Sequence, residues 1–156
     1  MRRDAITAAA LGLALATPAS AITATEAADV FGSACLHADG ATTIAAARDI
    51  SASLGLPALK TSGPGRWKDK DRDISIGLYQ DDDALECSFA LLQGDVTADY
   101  ATVAAAVTTV VTDAAEASMP QGEGFNRWSW EASGKPFSAV FYQRDGRFIF
   151  ISKVPD

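Results

Sequence analysis

The residues with the sharpest chemistry are two cysteines and one histidine. Cys35 and Cys87 are the only thiols of the chain, and His37 is its only imidazole. A thiol nucleophile needs a neighbouring base, and His37 stands two places from Cys35. On a helix, positions i and i+2 diverge by about 200°, so these two side chains would not meet. Two Cys and one His also fall short of a tetrahedral zinc site unless a carboxylate joins them, and no C-x-x-C spacing occurs. An even pair of cysteines in an oxidising compartment instead reads as a disulfide. Closing the long loop between these two would contribute about 4 kcal/mol on the chain-entropy account.

The densest carboxylates are Asp81, Asp82, Asp83 and Glu86. Clustered oxygens suit a hard cation, but the spacing is not that of an EF-hand loop, and acidic residues are ordinary in an exposed hairpin turn. Glu116, Glu123 and Glu131 could pair with another carboxylate for glycoside chemistry, but that chemistry is defined by a separation in space, which a sequence does not give. Arg66, Trp67, Lys68, Lys70 and Arg72 gather cations around one aromatic, as a site for an anionic ligand or an acidic protein would. Asp69, Asp71 and Asp73 alternate with them, which is the pattern of a salt-bridged strand edge. No nucleophile elbow, P-loop, dinucleotide fingerprint or H-E-x-x-H motif occurs, and no metal or cofactor is expected.

Thirteen basic residues stand against 20 acidic ones, for a net charge of −7. That balance argues against nucleic acid or an anionic membrane surface as the main partner. The first residues run against it. Arg2 and Arg3 precede the uncharged run Ala5 to Ala16, and Ala19-Ser20-Ala21 follows Pro18, the three regions of a secretory signal peptide. The apolar run is shorter than the roughly 20 residues a membrane span requires. Residues 1–21 are therefore expected to be removed, leaving 22–156 as a single periplasmic or secreted domain without membrane insertion.

The elements that must position these groups follow from periodicity. Thr23 and Glu26 form a capping box before a helix that carries Cys35 on its apolar stripe. A second helix starts after Thr42 or Thr43 and ends at Gly55, and residues 58–73 read as a long loop. From Ile74 the period becomes two, so Ile76 and Leu78 share a face with Leu85, Cys87 and Phe89 across the acidic turn. Tyr100, Val103, Val107 and Val110 mark a third helix from about Thr97 to Ser118. Ser133-Gly134 and Asp145-Gly146 then join three strands, Asn126 to Ala132, Phe137 to Gln143 and Arg147 to Ser152. The order ααββαβββ implies an α+β fold, with helices on one face of an antiparallel sheet of about five strands.

If both of those turns have two residues, Tyr142 lies opposite Ile149, Val140 opposite Ile151, Phe141 opposite Phe150 and Trp130 opposite Phe137. One face then carries Trp128, Trp130, Phe137, Phe141, Phe148 and Phe150 as a core. The other carries Arg127, Ser129, Glu131, Ser138 and Lys153 around an apolar island of Val140, Tyr142, Ile149 and Ile151. A solvated sheet face is normally polar, so the island needs a covering segment, a protein partner or a second copy of the chain. The expectation is a small exported, disulfide-bonded binding domain contacting a protein partner or its own copy through Val140, Tyr142, Ile149 and Ile151, with Arg66 and Trp67 as a second contact region. The alternatives are a small hydrolytic enzyme using carboxylates or His37, and a structural envelope protein.

Overall fold

A computed structural model describes residues 21–114, 119–120 and 124–156. The expected signal peptide lies outside the described residues but for its last position, Ala21.

Thr23 opens the first helix, α1 (Ala24–Cys35), and both halves of its capping box form: Thr23 Oγ1 accepts from the Glu26 amide, and the Glu26 carboxylate accepts from the Thr23 amide. Two of the orphan donors at the helix start are thereby satisfied. The second helix, α2 (Gly40–Ser53), begins earlier than Thr42, because Asp39 caps it by accepting from the Thr42 amide at 2.7 Å. It ends at Gly55, which takes a φ of +67°. The third helix, α3 (Tyr100–Ala114), is capped by Asp99, which accepts from the Thr102 amide. Its expected extension to Ser118 lies outside the described residues.

The strands are β1 (Gly65–Asp69), β2 (Ile74–Gln80), β3 (Ala84–Leu92), β4 (Met119–Pro120), β5 (Phe125–Ala132), β6 (Lys135–Arg144) and β7 (Arg147–Pro155). They form one antiparallel sheet in the order β1-β2-β3-β7-β6-β5-β4. The expectation of about five strands is thus corrected to six full ones and the two-residue β4. The missing full strand is β1, which lies inside the stretch that reads as a loop. Its outer edge is held by the segment just before it in the chain: the Leu59 amide donates to Arg66 O and the Lys68 amide to Pro57 O.

Both expected two-residue turns form. Ser133-Gly134 and Asp145-Gly146 all have positive φ, between 52° and 74°, the geometry whose twist matches flanking antiparallel strands. The meander register follows as expected, with Tyr142↔Ile149, Val140↔Ile151, Phe141↔Phe150 and Trp130↔Phe137 paired.

All three helices cover one face. α1 runs over β3 and β7, with α2 and α3 beside it. A Cβ on Gly32 would come within 2.5 Å of Val110 Cγ1, so glycine is what lets α1 and α3 approach. Beneath them Phe31, Phe89, Phe141, Phe148 and Phe150 are buried as a connected cluster, with Phe150 at 4.8 to 5.5 Å from the rings of Phe31, Phe89 and Phe141. Each such pair adds about 0.5–1.5 kcal/mol beyond the area it buries. Cys35 and Cys87 are bonded, with Cα atoms 5.4 Å apart, and both are fully buried. The bond ties the last residue of α1 to the second residue pair of the β2–β3 hairpin face, and Ser152 Oγ on β7 donates to Cys35 O beside it at 2.8 Å.

Candidate functional site

Among the described residues, no helix lies over the opposite face of the sheet. Alternation along each strand places Arg66 and Lys68 of β1, Ser75, Gly77 and Tyr79 of β2, and Glu86, Ser88 and Ala90 of β3 on this side. Beyond them come Ile149, Ile151 and Lys153 of β7, Ser138, Val140 and Tyr142 of β6, and Phe125, Arg127 and Ser129 of β5. Two cross-strand rows define the centre. One runs Arg66, Gly77, Ser88, Ile151, Val140, Arg127; the next runs Lys68, Ser75, Ala90, Ile149, Tyr142, Phe125.

Val140, Tyr142, Ile149 and Ile151 therefore meet as one patch, each half-buried by its neighbours. The patch is larger than the sequence showed. Phe125 adds to it, its ring 6.2 Å from that of Tyr142 and 39% exposed. It lies one residue before the expected strand start at Asn126; carrying the two-residue period of Arg127 and Ser129 back one step reaches it. Ala90 joins through the pairing of β3 with β7, which no local signal announces. Tyr79, 64% exposed, stands on the same face toward the other edge.

Two hollows flank the patch. Over β2 and β3 the small residues Gly77, Ser75 and Ser88 leave a concavity of about 300 Å³ walled by Arg66, Tyr79 and Glu86. On the other side Arg127, Ser129, Ser138 and Lys153 border a shallower one of about 560 Å³, with Asp83 and Glu131 on its margin.

Charges on this face divide into paired and unpaired. Asp73, in the β1–β2 turn, accepts from Arg147 Nε at 2.9 Å and also meets Arg147 Nη2 and Lys68 Nζ. These hydrogen bonds, Arg147's first and Lys68's second, hold its carboxyl below the usual carboxylate range. In the same turn Arg72 holds Asp69 low by a bond of 2.7 Å. Arg66, Arg127 and Lys153 have no carboxylate within ion-pair distance among the described residues.

The second contact region divides. Arg66 is exposed on the open face, but Trp67 is a correction: only 9% exposed, it belongs to the core beneath the helices, its indole folded over Gly65 where a Cβ would clash at 2.3 Å. The reason is parity, since Trp67 pairs with the buried Ile76 while Arg66 pairs with Gly77.

The remaining chemical groups are dispersed. His37 Nε2 lies 2.7 Å from Ser33 O on the preceding helical turn, and Cys35 is closed in its disulfide. Asp81, Asp82 and Asp83 turn the β2–β3 hairpin, with Asp81 Oδ1 accepting from the Asp82 amide. Glu131 lies exposed on β5, while Glu116 and Glu123 lie outside the described residues. No group of three His, Cys, Asp or Glu is placed to hold a metal ion among the described residues. Near α3, the Tyr100 hydroxyl bonds Asn126 Oδ1 at 2.7 Å and Phe141 O at 3.0 Å, and burial pushes its pKa up to about 12. That makes it a strut between helix and sheet at neutral pH. No helix among the described residues is long and apolar enough to cross a membrane.

Comparison of the chain with protein-family models, with curated proteins and with solved structures found no match.

Proposed function

We propose that the chain is an exported interaction domain: cleaved after Ala21, closed by its disulfide, and contacting a protein through the helix-free face of its sheet. The observation that carries this reading is the continuous apolar patch of Val140, Tyr142, Ile149, Ile151 and Phe125 on a face that nothing in the described residues covers. Contiguous apolar area rimmed by charge is what binding surfaces present, because a partner gains by removing it from water. Export is supported by the buried disulfide, since cytoplasmic thiols are kept reduced, and by the leader-like first residues. The dispersal of His37 and the carboxylates leaves no nucleophile, base and orienting group at mutual reach among the described residues.

Replacing Tyr142 by a photoreactive amino acid, and separately Ala45 on the exposed side of α2, tests the surface in the cells that make the protein. The expected result is a cross-linked protein adduct from position 142 and none from position 45. Equal cross-linking at both positions, or none from 142, overturns the reading.

A further inference from the structure

The leader-like residues end at Ala21, which is exposed, and among the described residues Ile22 is the first that the fold holds. Its amide donates to Asp95 O at 2.9 Å, its carbonyl accepts from the Thr97 amide at 3.0 Å, and it forms a parallel bridge with Val96. Its side chain packs against the core, and the next residue, Thr23, caps α1.

Ala21 and Ile22 border a cavity of about 280 Å³ whose walls include Phe89 of β3. Three charged side chains share its lining: Asp71 and Arg72 of the β1–β2 turn, and Asp95. The one cation is already engaged, since Arg72 donates to Asp69 Oδ2 at 2.7 Å and to Leu54 O at 2.8 Å. Asp71 and Asp95 have no ion-pair partner among the described residues. A further carboxylate comes from α1, where Glu26 Oε2 lies 2.7 Å from the Thr23 amide nitrogen. The nitrogen of Ile22 is thus set among carboxylates from the turn, from α1 and from Asp95, with Arg72 committed elsewhere.

Hydrolysis of the Ala21–Ile22 bond places a new cation at that point. The hydroxyl of water joins the Ala21 carbonyl carbon and its proton joins the Ile22 nitrogen, which becomes an amine and is protonated at neutral pH. We propose that this α-ammonium is a structural cation, which keeps the bond to Asp95 O and meets the carboxylates of Asp71 and Asp95, so that removing the leader stabilises the domain left behind. An amide has one N–H to give, whereas an ammonium has three, so the carbonyl bond is retained while donors remain for the carboxylates. The start of α1 opposes a cation, because the helix dipole is positive there, and Glu26 in the first turn offsets it. The step rests on cleavage after Ala21, as in the function proposed above. A cation that gains partners on folding has a raised pKa, and the stability it adds is present below the unfolded value and lost as pH rises through the folded one.

The test uses the exported chain with its disulfide intact, and starts from the mass of its N-terminal peptide. The Cα signal of Ile22 is then followed by NMR from about pH 6 to about pH 10, across the ordinary range of an amino terminus. Urea unfolding is measured over the same range beside the same chain acetylated at Ile22. The expected amine titrates about one pH unit above the roughly 7.7–8.0 of an open amino terminus. The urea midpoint should exceed that of the acetylated chain at neutral pH, and the gap should close in alkali. In the Asp71→Asn, Asp95→Asn double variant the titration should return to the ordinary range; if that variant does not fold, the acetylated chain, which alters no side chain, decides. An amine titrating in the ordinary range, an unchanged titration in the folded double variant, or an acetylated chain of equal stability at every pH overturns the proposal. An exported chain that begins elsewhere than Ile22 removes the cleavage reading with it, whereas an Ile22 start with an ordinary amine removes this proposal alone.

Discussion

Phe150 and Ile151 are neighbours in the chain and sit on opposite sides of one strand. Phe150 is fully buried among three other rings; Ile151, half-buried, lies on the open side with Val140 across from it and Lys153 two residues on. The same alternation separates Phe141 from Tyr142 and Trp67 from Arg66. Each strand thus serves two surfaces under different demands. The covered side is filled with aromatic volume, pinned by a disulfide and closed by three helices. The open side carries smaller apolar side chains at its middle and charged side chains of both signs at its margins. A side chain that is merely stabilising belongs to the first; an apolar side chain kept on the second has to be explained by what reaches it from outside.

The contrast breaks most sharply if residue pairs on one strand are truncated in turn. Phe150→Ala is expected to cost about 3–5 kcal/mol, the scale for deleting a buried aromatic. Ile151→Ala is expected to cost less than about 1 kcal/mol, since it removes partly hydrated area. Urea unfolding of the two variants gives both numbers, and similar losses would mean that the two sides are equally packed.

The covalent anchor of the covered side comes next. Cys35→Ser is expected to lower stability by about 4 kcal/mol, the cost of releasing so long a loop in the unfolded chain. The native protein should show no reactive thiol, and the variant one, Cys87, which labels fully only on unfolding. Two thiols in the unreduced native protein would contradict the framework.

A smaller effect belongs to the open side's turn. The folded-state pKa of Asp73 lies below its ordinary 3.8, through its bonds to Arg147 and Lys68. A depressed carboxyl stabilises the fold above its unfolded pKa, and that contribution is lost as pH falls through the folded value. Asp73→Asn should therefore lower the urea midpoint at neutral pH and converge with the parent protein in strong acid. Parallel curves at all pH values would show that the ion pairs contribute nothing.

Much of this contrast is legible in the sequence, and for local reasons. Ser133-Gly134 and Asp145-Gly146 specify two-residue turns, so the register of β5, β6 and β7, and with it the sorting of Phe141 from Tyr142, follows from the chain alone. The disulfide follows from compartment and from two periodicities that agree. The rest carries weak local signals or depends on pairing between strands far apart in the chain. β1 has one large apolar residue, Trp67, among charges and Gly-Pro-Gly, and it becomes a strand because β2 and residues 57–59 hold its edges. For the same reason Trp67 was read as a surface residue. Ala90 joins the patch only through β7, and Phe125 lies one step beyond the expected strand end. The start of α2 at Gly40 rested on the side chain of Asp39, a cap hidden by the stronger-looking threonines that follow.

The central claim, that Tyr142 belongs to a surface and its chain neighbour to the core, is tested most directly by thermal unfolding of Tyr142→Asp beside Phe141→Asp. A buried aspartate without a partner is strongly unfavourable, whereas a surface substitution changes stability by no more than about 0.5 kcal/mol. Tyr142→Asp should melt within a few degrees of the parent, a shift of about that scale, and lose the protein adduct formed by a photoreactive amino acid placed at position 149, while Phe141→Asp should fail to fold. Unfolding of Tyr142→Asp as well would contradict the account, because the face taken here as open would then be part of the core.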